Sequence, residues 1–291
     1  AFGTVRAQAA IVDKLCDAHE NEKIIDGHAP GLSGKALCAY ITAGVTSDHE
    51  CFEASDGMEK LCRGQWIMIR EGTAAKNLEA LIPLCQKPYA QRCMFVTYDK
   101  HSGDLRKTGH IDSIIRKAIK LGVDPVTALM MGSYYPARYF GLRENGAVAP
   151  GYRADLVILS DLNEVTVKEV YKNGTLVAKD GQCLAPHKHF DCVYDKVFHS
   201  FHMAPVKETD FYMTLSDDTQ KVICLTPGEL LTKLLTVKRQ QLDGFPSGVN
   251  PEADIIKLAV LERHKNTGHR GIGFLKGYGL KQGAVAASIA H

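Results

Sequence analysis

The sequence predicts an α/β protein: part of a (β/α)8 barrel, then a small β-sandwich segment and an α+β C-terminal domain. Three observations carry that reading. Short apolar runs recur across the first hundred residues with helix-like stretches between them. From Glu144 the pattern changes to strand-like alternation, and beyond residue 209 helical patterns alternate with a glycine-rich end. The corresponding divisions are 1–143, 144–182 and 183–291.

The runs at 24–26, 43–45, 66–69 and 93–96 start roughly 20–27 residues apart, the period of a βα unit. After the first, Ser33 is placed to cap a helix carrying Leu37, Tyr40 and Ile41, with Gly44 as its stop. After the second, Ser55 precedes Met58, Leu61 and Cys62, and Gly64 ends the turn. Leu78, Leu81 and Ile82 share a face until Pro83 interrupts it. Ile111, Ile114, Ile115, Ala118 and Ile119 then make a broad stripe ending at Gly122. Asp124-Pro125 supplies a cap and first-turn proline for a helix running toward Phe140. Consecutive βα units make a parallel sheet. A complete barrel takes ~250 residues, whereas about 143 precede the change of pattern. Four units therefore form either a small open sheet or half a barrel. Half a barrel is preferred, with an N-terminal half expected before Ala1, because the sequence starts in mid-pattern at Ala1-Phe2-Gly3 without a methionine and exposed parallel edges are poorly tolerated.

Strands are expected at 154–159 and 165–171, and Asn173-Gly174 signals a hairpin into a further short strand. Leu156 and Ile158 would face one way and Val157 and Leu159 the other, against a partner sheet, because an isolated hairpin is marginal. The stretch 183–208, with His187, His189, His199 and His202, reads as a connector. Helices are expected at 229–241 and 253–265.

Composition narrows the function. The chain has 291 residues, 45% of them hydrophobic, enough for a sizeable core, and its 35 Lys and Arg nearly balance 33 Asp and Glu. That balance speaks against a global nucleic-acid or membrane footprint. No apolar run approaches the ~20 residues of a membrane helix, and no signal-peptide pattern opens the sequence. Between 257 and 281 Lys257, Arg263, Lys265, Arg270, Lys276 and Lys281 outnumber Glu262. Without interleaved stacking aromatics, this reads as a solvated face or subunit contact, not a nucleic-acid patch. Nine scattered cysteines without C-x-x-C spacing read as buried thiols in a reducing compartment, with the cytoplasm as default.

The ends of the runs carry the chemistry. His28 follows the first, Thr46-Ser47-Asp48-His49-Glu50 the second, and Thr97-Tyr98-Asp99 the fourth. Catalytic groups of a βα barrel sit at the C-terminal strand ends, so His28, His49 and Asp99 would share one mouth. Two imidazoles and a carboxylate suit Mn²⁺, Fe²⁺ or Zn²⁺. Such an ion lowers the pKa of bound water, and a nearby carboxylate can carry the proton. Taken singly, each histidine also reads as a hydrogen-bonded structural residue. Glu50, Arg70 and Glu71 have the character to touch a substrate or orient ligands; ordinary rim salt bridging is the competing reading, and the preferred one for Arg70. His101 and His110 read as solvated.

The segments Gly27-His28-Ala29-Pro30-Gly31-Leu32-Ser33-Gly34, Ser47-Asp48-His49-Glu50, Met68-Ile69-Arg70-Glu71-Gly72 and Gly109-His110-Ile111-Asp112 resemble motifs of bacterial adenine deaminases. Gly146-Ala147-Val148-Ala149-Pro150-Gly151-Tyr152-Arg153-Ala154-Asp155 is similar to the barrel-to-sandwich return of metal-dependent amidohydrolases in general. The tail around Glu262-Arg263-His264 and Gly273-Phe274-Leu275-Lys276-Gly277-Tyr278-Gly279 resembles the extra C-terminal domain of adenine deaminases. The resemblance implies that the chain is the C-terminal half of such an enzyme, strands five to eight. His28 and His49 then match the metal histidines after strands five and six, and a paired-histidine motif and a bridging carboxylate would lie upstream. The family pattern Thr-Asp-Asp stands here as Thr97-Tyr98-Asp99. If its first aspartate is the metal-facing base, Tyr98 replaces it.

The implied activity is hydrolysis of adenine to hypoxanthine and ammonia, in purine salvage, with Asp99 and Glu50 as catalytic carboxylates and Arg70 and Glu71 at the substrate. The implied metal is manganese first, and the implied assembly a homo-oligomer. The rivals are another cyclic amidohydrolase on the same scaffold, and a non-catalytic fragment or pseudoenzyme.

Overall fold

In the computed structural model, residues 1–186, 198–215, 217–227, 232–242 and 249–287 are described. The chain divides into two compact units, 1–187 and 188–291. The first contains helices α1 (Phe2–Val5), α2 (Ala9–Glu20), α3 (Gly34–Thr42), α4 (Ala54–Cys62), α5 (Leu78–Leu81), α6 (Ser102–Thr108), α7 (Ile111–Lys120), α8 (Pro125–Gly132) and α9 (Tyr134–Tyr139). Strands β1 (Ser47–Asp48), β2 (Trp66–Arg70) and β3 (Cys93–Val96) form its parallel sheet in chain order. No helix among the described residues is long and apolar enough to cross a membrane.

The four apolar runs are parallel neighbours, but the first is reduced to a single bridge between Ile25 and Val45. β1 pairs with β2 through Ser47 and Trp66, and β2 with β3 from Ile67–Cys93 to Arg70–Val96. β2 is apolar without alternation because both faces are covered, as in parallel sheets generally. Ile67, Ile69, Cys93 and Phe95 pack against Leu78, Leu81, Leu84, Ile114, Ile115 and Met131. The stripe expected on α7 is the one that turns inward, with Ile114, Ile115 and Ala118 buried.

Helix ends follow the sequence in part. Gly44, Gly64 and Gly122 lie just past helix ends at positive φ, where a Cβ would be strained. The Asp124 side chain accepts from the Thr127 amide and caps α8, with Pro125 in its first turn. Ser33 stands at the N-cap of α3 without a side-chain bond, and Glu53 rather than Ser55 occupies that position in α4. The helix expected to reach Phe140 is broken into α8 and α9, because Pro136 has no N–H for the Gly132 carbonyl.

The segment after Glu144 is an antiparallel meander of β4 (Leu156–Leu159), β5 (Val167–Lys172), β6 (Thr175–Lys179) and β7 (Gln182–Cys183), in that order. Lys172 pairs with Thr175 across Asn173 and Gly174, both at positive φ, the backbone of a type I′ turn. The expected alternation of β4 fails. A register shift at Ile158/Leu159 leaves Val157 and Ile158 both exposed, while Leu159 packs on the core of the first unit.

In the second unit, β8 (Thr219–Cys224), β9 (Lys233–Lys238), β10 (Ile255–Leu261) and β11 (Arg270–Lys276) form one sheet in the order β10-β11-β8-β9. The helices expected at 229–241 and 253–265 are corrected to β9 and β10. Short apolar runs lack a decisive period, and the β-branched Ile255, Ile256 and Val260 are satisfied by pairing along the whole of β11. Val222, Val237, Leu242, Ile255 and Phe274 form this unit's core. His187 and His189 lie outside the described residues.

Ile115 sits in the core of the first unit at 6% exposure. Ile115→Val is expected to lower its stability by about 0.5–1.5 kcal/mol, read as a shift of the urea midpoint with an unchanged slope.

Candidate active site and metal centre

The site is built on two strand ends brought together by an unusually close backbone approach. A Cβ on Gly27 would lie 2.0 Å from the Ser47 carbonyl oxygen, so only glycine lets these two segments run this close. The Gly27 amide donates to Ser47 Oγ at 3.2 Å and the Ala29 amide to Asp48 Oδ1 at 2.8 Å. His28 is held between them, its own amide donating to the Tyr40 hydroxyl. His28 and His49 therefore leave adjacent strand ends side by side, with ring centroids 5.5 Å apart.

Both imidazoles aim at one carboxylate oxygen. Glu50 Oε1 lies 3.3 Å from His28 Nδ1 and 3.2 Å from His49 Nε2. Arg70, the last residue of β2, forms an ion pair with the same oxygen at 2.8 Å, and the Tyr98 hydroxyl donates to it at 3.5 Å. Glu50 and Arg70 are buried. Burial on its own raises the Glu50 carboxyl, but the His49 hydrogen bond, the Arg70 guanidinium and the two imidazoles outweigh it and hold the group below its ordinary range. The Arg70 guanidinium also stacks 5.0 Å from the Tyr98 ring and 5.8 Å from Phe52. Tyr98, at positive φ, lies 5.3 Å from the His49 ring.

Asp99 is placed elsewhere, and its expected position beside the histidines is corrected. Its carboxylate accepts from the amides of Thr73, Ala74 and Ala75, closing the loop after β2. A Cβ on Gly72 would sit 1.6 Å from Asp99 Oδ1, so the loop is shaped around this contact. With its lone pairs committed to three N–H donors, Asp99 is a loop cap. Glu71 turns away from the imidazoles: Oε2 pairs with Lys117 at 3.0 Å, and Oε1 is buried without a hydrogen-bond partner among the described residues. Glu71 lines a cavity of about 360 Å³ with Lys76, Lys100, Asp104 and Lys117. His28, His49 and Glu50 are not among its lining residues. His101 and His110 stay out of the cluster; the His101 amide donates to Thr73 Oγ1 and the His110 amide to Asp112 Oδ1.

Among the described residues, His28, His49 and Glu50 form one of two groups of three ligand-type side chains whose donor atoms lie within 4.8 Å of one another. Two imidazole nitrogens and a carboxylate oxygen are a fitting set for a borderline divalent ion, with coordination positions left for other donors.

Lys60 and Asp48 form a buried ion pair against the backbone of this site that sequence reasoning missed. α4 buries Gly57 and Lys60 fully, while Met58 and Leu61 of the expected stripe pack half-buried against the core and Cys62 is exposed. Lys60 Nζ contacts Asp48 Oδ2 at 2.8 Å, with both side chains fully buried. Its usable signal was the Asp56/Lys60 spacing of one helical turn. Burial alone would raise the Asp48 carboxyl, but Lys60 and the Ala29 amide hold it below 3.8. Cys51, whose thiol donates to the same carboxylate, is pushed up by burial and by Asp48.

With this geometry in place, relatedness is direct: residues 4–177 match the amidohydrolase family, and the chain belongs to it. Residues 229–291 match the adenine deaminase C-terminal domain. The chain is 44% identical over 97% of its length to an adenine deaminase of Dehalococcoides mccartyi, covering 48% of that protein. It is 43% identical to adenine deaminase 2 of Carboxydothermus hydrogenoformans and 42% to an adenine deaminase of Oceanobacillus iheyensis, covering 99% and 98% of this chain and 50% and 49% of theirs. The chain thus spans about half the length of the curated relatives it matches.

Two outcomes check the electrostatics. Because the folded Asp48 carboxyl titrates below its unfolded counterpart, the unfolded chain binds more protons. The Asp48 contribution is present at neutral pH and is lost as pH falls below 3.8. The fall of the urea midpoint between pH ~7 and ~3 should be shallower in Asp48→Asn. Asp99→Asn should speed amide exchange at 72–76 and leave Mn²⁺ binding in place, whereas His49→Ala should abolish that binding.

Proposed function

We propose that this chain is the C-terminal half of an adenine deaminase, converting adenine and water to hypoxanthine and ammonia, with strands five to eight of the barrel in 1–143, the sandwich return in 144–182 and the deaminase-type domain in 183–291. The observation that carries the reading is the convergence of His28 Nδ1 and His49 Nε2 on Glu50 Oε1. The match of the tail to the adenine deaminase C-terminal domain favours adenine over another cyclic amide.

His28 and His49 would hold a divalent ion, manganese in this reading, beside Glu50. When bound, such an ion acts as a Lewis acid and lowers the pKa of water at the site. The His49 hydrogen bond, Arg70 and the two imidazoles keep Glu50 ionised, so at neutral pH its carboxylate is the proton acceptor at the site. A proton taken there is held weakly and is readily passed to a departing amine. Arg70 is buried, ion-paired with Glu50 and flanked by the Phe52 and Tyr98 rings, which supports a positioning role over contact with the purine. Glu71, with its unpartnered Oε1 beside the cavity, is the better candidate to accept an N–H from substrate. The eight described cysteines are all free thiols, in keeping with a reducing, cytoplasmic setting and with purine salvage. A homo-oligomer of closed symmetry completes the reading.

The test is ammonia release from adenine with added Mn²⁺. The 291-residue chain alone should turn over negligibly. Combined with the N-terminal half of a relative, it should release ammonia slowly, and Tyr98→Asp in that combination should raise the rate by about 10²–10⁴-fold, the usual contribution of a positioned base. No ammonia from the Tyr98→Asp combination would overturn the reading.

A further inference from the structure

We infer that Lys60 is a positioning residue of the candidate metal centre: its ammonium fills the second cluster of ligand-type side chains and from there fixes the backbones that carry His28, His49 and Glu50. The inference rests on the reading of those three residues as a metal centre.

The second cluster is Asp48, Cys51 and Asp56, whose donor atoms also lie within 4.8 Å of one another. By residue type these side chains could take a cation, and the chain supplies its own. Lys60 Nζ lies 2.8 Å from Asp48 Oδ2, 3.0 Å from an Asp56 carboxylate oxygen and 2.9 Å from the Ala29 carbonyl oxygen. Three N–H donors thus meet three oxygens, and Cys51 Sγ completes the surroundings at 3.6 Å. Nothing further fits, because the Lys60 side chain is fully buried.

The oxygens are placed so that the ammonium acts on both strand ends at once. Ala29 follows His28 directly; Lys60 takes its carbonyl and Asp48 takes its amide. Asp48 precedes His49 directly, and its Oδ2, the oxygen that binds Lys60, also accepts from the Glu50 amide at 3.2 Å. One ion pair therefore clamps the residue after one imidazole and both neighbours of the other. A buried ion pair contributes little stability beyond a well-packed apolar pair of the same shape. Backbone placement is what an apolar pair could not reproduce, since it offers neither the acceptor for two amides nor the donor for the Ala29 carbonyl.

The experiment is Mn²⁺ titration of the 291-residue chain, followed by electron paramagnetic resonance of the free ion, with urea stability measured in parallel. The variants are Lys60→Met, the Asp48→Asn/Lys60→Met pair, Ile115→Val and the His28→Ala/His49→Ala pair. Lys60→Met should bind Mn²⁺ about 10- to 100-fold more weakly, the range seen when groups orienting metal ligands are removed. Ile115→Val should be less stable yet bind as the parent does. The double variant, with no charge left buried, should regain stability but not metal affinity, a split that a merely structural role would not give. It also serves if Lys60→Met fails to fold. Parent-like affinity in Lys60→Met or in the double variant would overturn the inference while leaving the metal centre standing. Binding that is absent in the parent, or survives His28→Ala/His49→Ala, would overturn the metal-centre reading and this inference with it.

Discussion

The buried pair of Asp48 and Lys60 is the constraint on which the site depends. Moving two charges out of water is unfavourable, and their attraction repays it only with good geometry and with the remaining donors and acceptors satisfied. Here that condition is met by backbone: the Ala29 amide and carbonyl and the Glu50 amide. The loop after the first run, the loop after β1 and helix α4 are locked together as a result. None of the three can shift without leaving a charge unpaired in the interior, so the ion pair transmits rigidity from a helix to two strand ends.

Above this pair lies a second charged arrangement of different character. Glu50 Oε1 gathers His28, His49, Arg70 and Tyr98, and Arg70 is sandwiched by Phe52 and Tyr98. The lower pair is sealed, whereas this one opens to solvent through His28, whose side chain is 60% exposed. Buried, fixed charge at one arrangement and an accessible imidazole at the other is the division that the proposed metal centre calls for.

Much of the fold was legible because period and punctuation agreed. The α7 stripe, the stops at Gly44, Gly64 and Gly122, and the Asn173-Gly174 turn each rest on one local physical rule, and each is present. Failures came where tertiary partners decide. The strands β9 and β10 were read as helices because their apolar runs are short and lack a decisive period, and only pairing with β8 and β11 distinguishes the two. In the site, His28, His49 and Glu50 could be found from strand-end logic. Asp99 could not be excluded from sequence, since its three donors lie 24 to 26 residues away on another loop. Lys60 was hidden for the opposite reason: a lysine on an amphipathic helix is nearly always solvated, and its burial depends on carboxylates that the sequence does not show to be near.

The raised thiol of Cys51 has a consequence for how the molecule can be handled. Thiol chemistry runs through the thiolate, so Cys51, buried against Asp48, is shielded both sterically and electrostatically. Cys16, Cys38, Cys62 and Cys183 are exposed. Among the described residues, an alkylating reagent thus meets exposed thiols and three buried ones, Cys51, Cys85 and Cys93, of which Cys51 alone touches the Asp48–Lys60 pair. Its protection from modification therefore depends on that pair as well as on burial in the core.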